Sequence, residues 1–162
     1  MKQLTFRNAT EADCGLILQF IRELAEYEKM LPEVVATEAL LRRSLFEERR
    51  AEVIFALEDG VEVGFALFFH NFSTFVGRSG LYLEDVFVKP AYRGRGYGKA
   101  LLKRLARIAL ERNCGRFEWV CLDWNQPSID FYKSLRAKPM DEWTVYRLTG
   151  KTLTDMAQTI EE

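Results

Sequence analysis

The chain has 162 residues, 48% hydrophobic and 29% charged, with a formal net charge of −1. A chain of this length can bury about 70% of its unfolded surface, and so apolar a composition excludes intrinsic disorder. Near-neutral charge gives no general attraction to nucleic acid or to a membrane surface, so any electrostatic recognition has to be local. A single domain, 1–162, is expected. The segment from Met1 to Arg7 lacks the apolar core of a signal peptide. The longest apolar run, Gly64 to Phe69, is too short to span a bilayer, and a cytoplasmic location is expected. Cys14, Cys114 and Cys121 are odd in number and widely spaced, and His70 is the only histidine. Neither a disulfide framework nor a metal site is indicated, and the cysteines read as reduced, mostly buried residues.

In chain order, Leu4 to Arg7 reads as a strand. Thr10 with Asp13 resembles a capping box one methylene short, and Ile17, Ile21 and Leu24 make an amphipathic helix to about Tyr27. Pro32 closes that region, and Thr37 caps a second helix to roughly Glu48. Glu52 to Glu58 and Val63 to Phe72 read as strands joined by a hairpin turn at Asp59-Gly60. Leu81 to Lys89 is the next strand. A helix from Gly98 to about Arg112 carries Leu101, Leu105 and Ile108 on one face and stops near Asn113 and Gly115. Arg116 to Asp123 is a strand, and Asn125 caps a short helix to about Leu135. Trp143 to Leu148 reads as a last strand and Thr152 to Ile160 as a terminal helix. The pattern is α/β.

Two features exceed what a packed core needs. The first is Glu84-Asp85 inside an apolar strand, where acids are disfavoured and strict alternation would put one carboxylate on each face of the sheet. Such ions are paired, exposed in a cleft or shifted in pKa; a salt bridge to Arg7 or another base is the structural alternative. The second is Arg93-Gly94-Arg95-Gly96-Tyr97-Gly98, between that strand and the helix opened by Lys99. Alternate glycines let backbone N–H groups approach an anion at a helix N-terminus, with charge added by Arg93, Arg95 and Lys99. A phosphate-binding P-loop would need Gly at Arg93 and Ser or Thr at Ala100; a dinucleotide fingerprint would need Gly at Lys99.

The arrangement R-x-x-G-x-G after a strand resembles the pyrophosphate loop of the GCN5-related (GNAT) N-acetyltransferases. Thr10 to Cys14, Tyr82 to Asp85 and Asp123 to Lys133 extend the likeness to the diamine (spermidine/spermine) and thialysine branch. The resemblance implies an acyl-CoA N-acyltransferase fold, a central mixed sheet with splayed middle strands flanked by helices. It further implies an acetyl-CoA-dependent amine N-acetyltransferase and a homodimer, with acetyl-CoA as cosubstrate and no metal. By resemblance Glu84 accepts the amine proton through water, while Asp85 is structural. The Val86 N–H meets the developing oxyanion, Phe87 and Val88 pair with pantetheine, and the loop from Arg93 through Lys99 holds the diphosphate. Asn125 and Ser128 contact the cofactor's amides, and Tyr132, four residues after Ser128 and on its face, protonates the thiolate. Spacing alone would leave Phe131 and Tyr132 as core aromatics.

Where the family usually has Gly after this helix, the chain has Arg136, which predicts either a different helix end or strain at positive φ. Tyr27-Glu28 is the pair carried over for the substrate, within an acidic group of Glu23, Glu26, Glu28 and Glu33 that could equally be a solvated helix end. Ser73 and Phe75 stand where polyamine enzymes carry an acid and Trp, which favours an amino-acid-like or small amine. Two other classes stay open. A non-catalytic acyl-CoA-binding module would lack Glu84 and Tyr132, and a peptide N-acetyltransferase would need an open groove in place of an acidic wall.

Overall fold

A computed structural model describes residues 2–158. The chain divides into two compact units, Met1–Val120 and Cys121–Glu162. The first holds a five-stranded sheet in the order β1-β2-β3-β4-β5: β1 (Leu4–Asn8), β2 (Glu52–Glu58), β3 (Val61–Ser73), β4 (Arg78–Val88) and β5 (Phe117–Trp119). Neighbours are antiparallel except β4 and β5, which run parallel. Asp59 and Gly60 form the expected tight turn, both at positive φ (51° and 86°), matching the twist of the strands they join.

Helix α1 (Cys14–Tyr27) lays Ile17 and Phe20 on one sheet face against Phe55, Phe65 and Phe87. Its start is held as the sequence suggests, since the Thr10 N–H donates to Asp13 Oδ2 at 2.7 Å. Thr37 caps α2 (Glu38–Arg42) by accepting from the Leu40 N–H at 3.2 Å, and the helix widens into a π-type turn through Glu47. Helix α3 (Tyr97–Glu111) buries Leu101, Leu105 and Ile108. Gly64 is where α3 comes close: a Cβ there would lie 3.3 Å from Leu101 Cδ1 and 3.0 Å from the Phe87 carbonyl oxygen.

The parallel ladder between β4 and β5 covers only Leu81–Leu83 against Phe117–Trp119. The ladder ends at Leu83, so β5 is three residues long rather than Arg116 to Asp123, and among the described residues no strand pairs with that edge of β4 from Glu84 onward. This is the mixed sheet the resemblance implies.

The second unit holds α4 (Gln126–Ser134) and α5 (Gly150–Gln158). Asn125 precedes α4 but makes no side-chain cap, and is itself buried. The strand expected over Trp143 to Leu148 does not form: Trp143, Val145 and Tyr146 are exposed, and no ladder among the described residues takes up their backbone. Of the expected terminal helix, Thr159 and Ile160 lie outside the described residues. Among the described residues no helix is long and apolar enough to cross a membrane.

Candidate active site

A one-residue bulge in β4 decides which side chains gather on one sheet face of the first unit. Leu83 lies opposite Phe68 and Asp85 opposite Leu67, so Glu84 is the extra residue. Opposed residues share a sheet face, and Tyr82, opposite Phe69 with ring centroids 5.1 Å apart, lies on the face of Leu67. Glu84, two residues after Tyr82, and Asp85, opposite Leu67, therefore project on one face. Strict alternation would have separated them; the bulge corrects that expectation. It is also the face covered by α1, at whose C-terminal end stands Glu28.

Three carboxylates thus share one field. Burial, then the charges of Glu84 and Glu28, push the Asp85 carboxyl up to about 7. Burial also raises Glu28, and the Tyr82 hydroxyl is raised by burial and then by Glu84 and Glu118. Neither Glu84 nor Asp85 has an ion pair among the described residues. Arg7, the alternative partner, is committed to Asp13 at 2.8 Å and Glu62 at 2.7 Å. A carboxyl kept half-protonated near neutrality can take up and pass on a proton. The residue that sequence reasoning set aside as structural is therefore the perturbed one. No local pattern announces the bulge, because it exists only in register with β3.

The bulge also fixes which amides face the open edge. The Lys89 N–H donates to the Val63 carbonyl on β3 at 2.9 Å, so by two-residue alternation Phe87 faces β3, while Val86 and Val88 face outward. The Phe87 carbonyl against Gly64 confirms the phase. Val86 therefore presents a free-edge N–H next to the carboxylates. Phe87 contributes a buried ring rather than an edge amide.

At the end of β4 the glycine loop begins. Gly94 (φ 76°) and Gly96 (φ 81°) are left-handed, and Gly96 caps α3. The first helical bond runs from the Ala100 N–H to the Gly96 carbonyl at 3.0 Å, which leaves the N–H groups of Tyr97, Gly98 and Lys99 without intrahelical acceptors. A Cβ at Gly98 would meet no protein atom within 4 Å, so the fold itself does not demand glycine there. Such a cradle suits a diphosphate.

The loop's cations divide their work. Arg93 Nε donates to the Val88 carbonyl at 2.9 Å, and its guanidinium lies 4.9 Å from the Tyr27 ring centroid and 5.1 Å from that of Phe87. Tyr27 is thereby tied to the loop. Arg95 turns to Glu58, and Tyr97 donates to the same carboxylate at 2.6 Å. Lys99 is exposed and makes no ion pair among the described residues. Of the acidic group, Glu23 pairs with Lys89 at 3.6 Å. Ser73 is buried, with its Oγ accepting from the Val76 N–H at 3.3 Å, so it serves the β3–β4 turn; Phe75 is fully exposed. His70 Nε2 lies 3.4 Å from Arg112 Nη1, away from the carboxylates in sequence and on the opposite sheet face.

In the second unit Ser128 and Tyr132 are both half-buried on α4, and the Tyr132 ring lies 5.6 Å from that of Phe131. Arg136 adopts φ 65° just after the helix, so the position keeps the left-handed stop with an arginine in it.

Comparison with known proteins places this geometry. The model of the Acetyltransferase (GNAT) family matches residues 18–136. Thialysine N-epsilon-acetyltransferase of Sus scrofa is 39% identical, over 97% of this chain and 99% of that protein. L-ornithine N5-acetyltransferase of Arabidopsis thaliana is 32% identical, over 91% of this chain and 85% of that protein. An integron cassette protein from the mobile metagenome of V. cholerae superposes with a TM-score of 0.81 at 29% identity, covering 96% of this chain and 98% of that one.

Proposed function

The chain belongs to the GNAT acetyltransferase family, and from that premise we propose that it transfers the acetyl group of acetyl-CoA directly to a primary amine of a small cationic acceptor. A lysine- or thialysine-like amino acid or a short diamine fits best, ahead of a long polyamine. The observation that carries this reading is the β4 bulge, which gathers Glu84 and Asp85 on the face that Glu28 approaches and raises Asp85 to about 7. Relatives named for thialysine and ornithine acetylation support the acceptor class.

Acetyl-CoA, when bound, supplies an activated thioester; the backbone of Tyr97, Gly98 and Lys99 and the open edge at Val86 and Val88 are the groups that would hold it. An alkylammonium with a pKa of about 10.4 cannot attack until it loses a proton. Asp85 accepts that proton, directly or through water at the exposed Glu84, because its own pKa lies near the operating pH. Glu28 holds the acceptor's second ammonium. The Val86 N–H stabilises negative charge developing on the acyl oxygen. Tyr132 gives its proton to the departing thiolate, a role that rests on the resemblance and on its shared face with Ser128. Nitrogen attack on a thioester needs neither a metal nor an acyl-enzyme. The chain acts as one domain, which the family match supports by running across both units. It works in the cytoplasm as a homodimer, for which light scattering is the check.

Turnover of acetyl-CoA against thialysine, lysine, ornithine, short diamines, spermine and peptide α-amines tests the reading. Diamino acids and short diamines should lead in kcat/KM. Glu28→Gln should raise KM roughly 5- to 150-fold for dicationic acceptors and leave monoamines nearly unchanged. Preference for spermine would shift the substrate class, and turnover of peptide α-amines alone would replace it.

A further inference from the structure

Glu58, at the end of β2, is the one charged residue buried among the described residues, 6% exposed. Its Oε1 accepts from Arg95 Nη1 at 2.5 Å and from the Tyr97 hydroxyl at 2.6 Å, while Lys2 Nζ reaches Oε2 at 3.4 Å. Arg95 and Tyr97 flank Gly96, the left-handed residue that starts α3. A single carboxylate oxygen therefore pins the side chains on both sides of the glycine whose neighbours' N–H groups form the cradle. Arg95 is held further by its Nη2 donating to the Ala91 carbonyl at 3.4 Å and by stacking 5.2 Å from the Tyr92 ring centroid.

We propose that Glu58 is a positioning residue for coenzyme binding, bracing the glycine loop from behind in the conformation that receives the diphosphate. The inference rests on reading that loop as the diphosphate cradle. Glycines have the greatest backbone freedom to lose, so a loop left loose would incur that entropy at the moment of binding. Bracing moves the ordering into the folding of the protein and leaves the interaction with phosphate undiminished. A bare carboxylate behind an anion site would repel the ligand, and Arg95 cancels its charge. Arg95 therefore acts on the coenzyme through Glu58 and does not itself touch phosphate. The carboxylate stays ionised across the working range, held below its ordinary pKa by the Tyr97 bond first and then by Arg95 and Lys2.

The test is calorimetric titration with CoA and steady-state kinetics on the full chain, for wild type, E58Q, R95Q, the double variant and G96V. Glu58→Gln should weaken CoA binding roughly 10- to 100-fold and raise KM for acetyl-CoA in step. The kcat at saturation and the KM for amine should stay within about 2-fold, a split that general destabilisation would not produce. Arg95→Gln should cost a similar factor alone and add nothing in the E58Q background. Full additivity would mean that Arg95 touches phosphate and would overturn the proposal. So would wild-type CoA affinity in E58Q where G96V has lost it. Wild-type affinity in G96V itself would instead refute the cradle. If E58Q fails to fold, Y97F removes one donor and keeps the ring: a loss of about 3- to 10-fold is expected, and unchanged affinity in both Y97F and R95Q would overturn the brace.

Discussion

Asp85 and Glu84 differ by one position and by environment, and the two should separate in a pH–rate profile. If Asp85 takes the proton, kcat/KM for the amine rises through about pH 7 as its carboxyl ionises. Asp85→Asn should remove that limb and cost roughly 10²- to 10⁴-fold. Glu84→Gln removes a negative neighbour that raises Asp85, so the limb should persist and move to lower pH. An unmoved limb in E84Q with a large loss of rate would return the base to Glu84. On α4, Tyr132→Phe keeps the ring and removes only the hydroxyl. A proton-donor role predicts a kcat loss of roughly 10²- to 10⁴-fold with acetyl-CoA affinity intact, measured by single-turnover kinetics beside calorimetry.

Three helices end in the same way, each with a residue at positive φ that is not glycine. After α1 it is Lys29 (φ 61°), after α3 Asn113 (φ 58°) and after α4 Arg136 (φ 65°). In each case two backbone N–H groups fold back on the last turn: Met30 to Ala25 and Lys29 to Glu26, Cys114 to Ala109 and Asn113 to Leu110, Ala137 to Tyr132 and Arg136 to Lys133. This is the Schellman geometry, which satisfies carbonyls the helix would leave open. Asn tolerates the conformation, and Arg carries a Cβ penalty of about 1–2 kcal/mol. Arg136 is exposed, so Arg136→Gly should relieve strain without opening a cavity. A gain of about 1 kcal/mol, or about 2–4 °C in Tm, is expected by thermal denaturation. A loss would show that the arginine side chain contributes more than its backbone costs.

At the scale of the molecule the carboxylate cluster costs stability near neutral pH. A carboxyl at 3.8 when unfolded and about 7 when folded binds more protons in the native state, so stability is greatest below about pH 4 as far as this group is concerned. It then falls as pH rises toward 7 and stays low above it. Partial solvent access discounts the full shift, leaving an effect on the order of 2 kcal/mol. Tm measured from pH 5 to 8 should decline for this reason, and D85N should flatten the decline and be the more stable protein at pH 8. A parallel decline in D85N would assign the trend to other groups.

What the sequence by itself determined follows from local chemistry. Periodicity located β1 to β4 and the first helices, turn residues located Asp59-Gly60, and three alternate glycines located the left-handed loop that opens α3. The motifs around Glu84, Gly96 and Tyr132 carried the family. Where pairing decides, local pattern was silent. A strand at Trp143 to Leu148 has the right residues and no ladder, and β5 ends where β4 leaves it. Glu84 and Asp85 read as opposite faces until one extra residue against Leu67 and Phe68 put them on the same one. Nothing near Arg95 in the sequence announced its ion pair with Glu58, which folding delivers from 37 residues away. Register and long-range charge pairing are properties of two segments at once, and only the tertiary structure brings the second segment to the first.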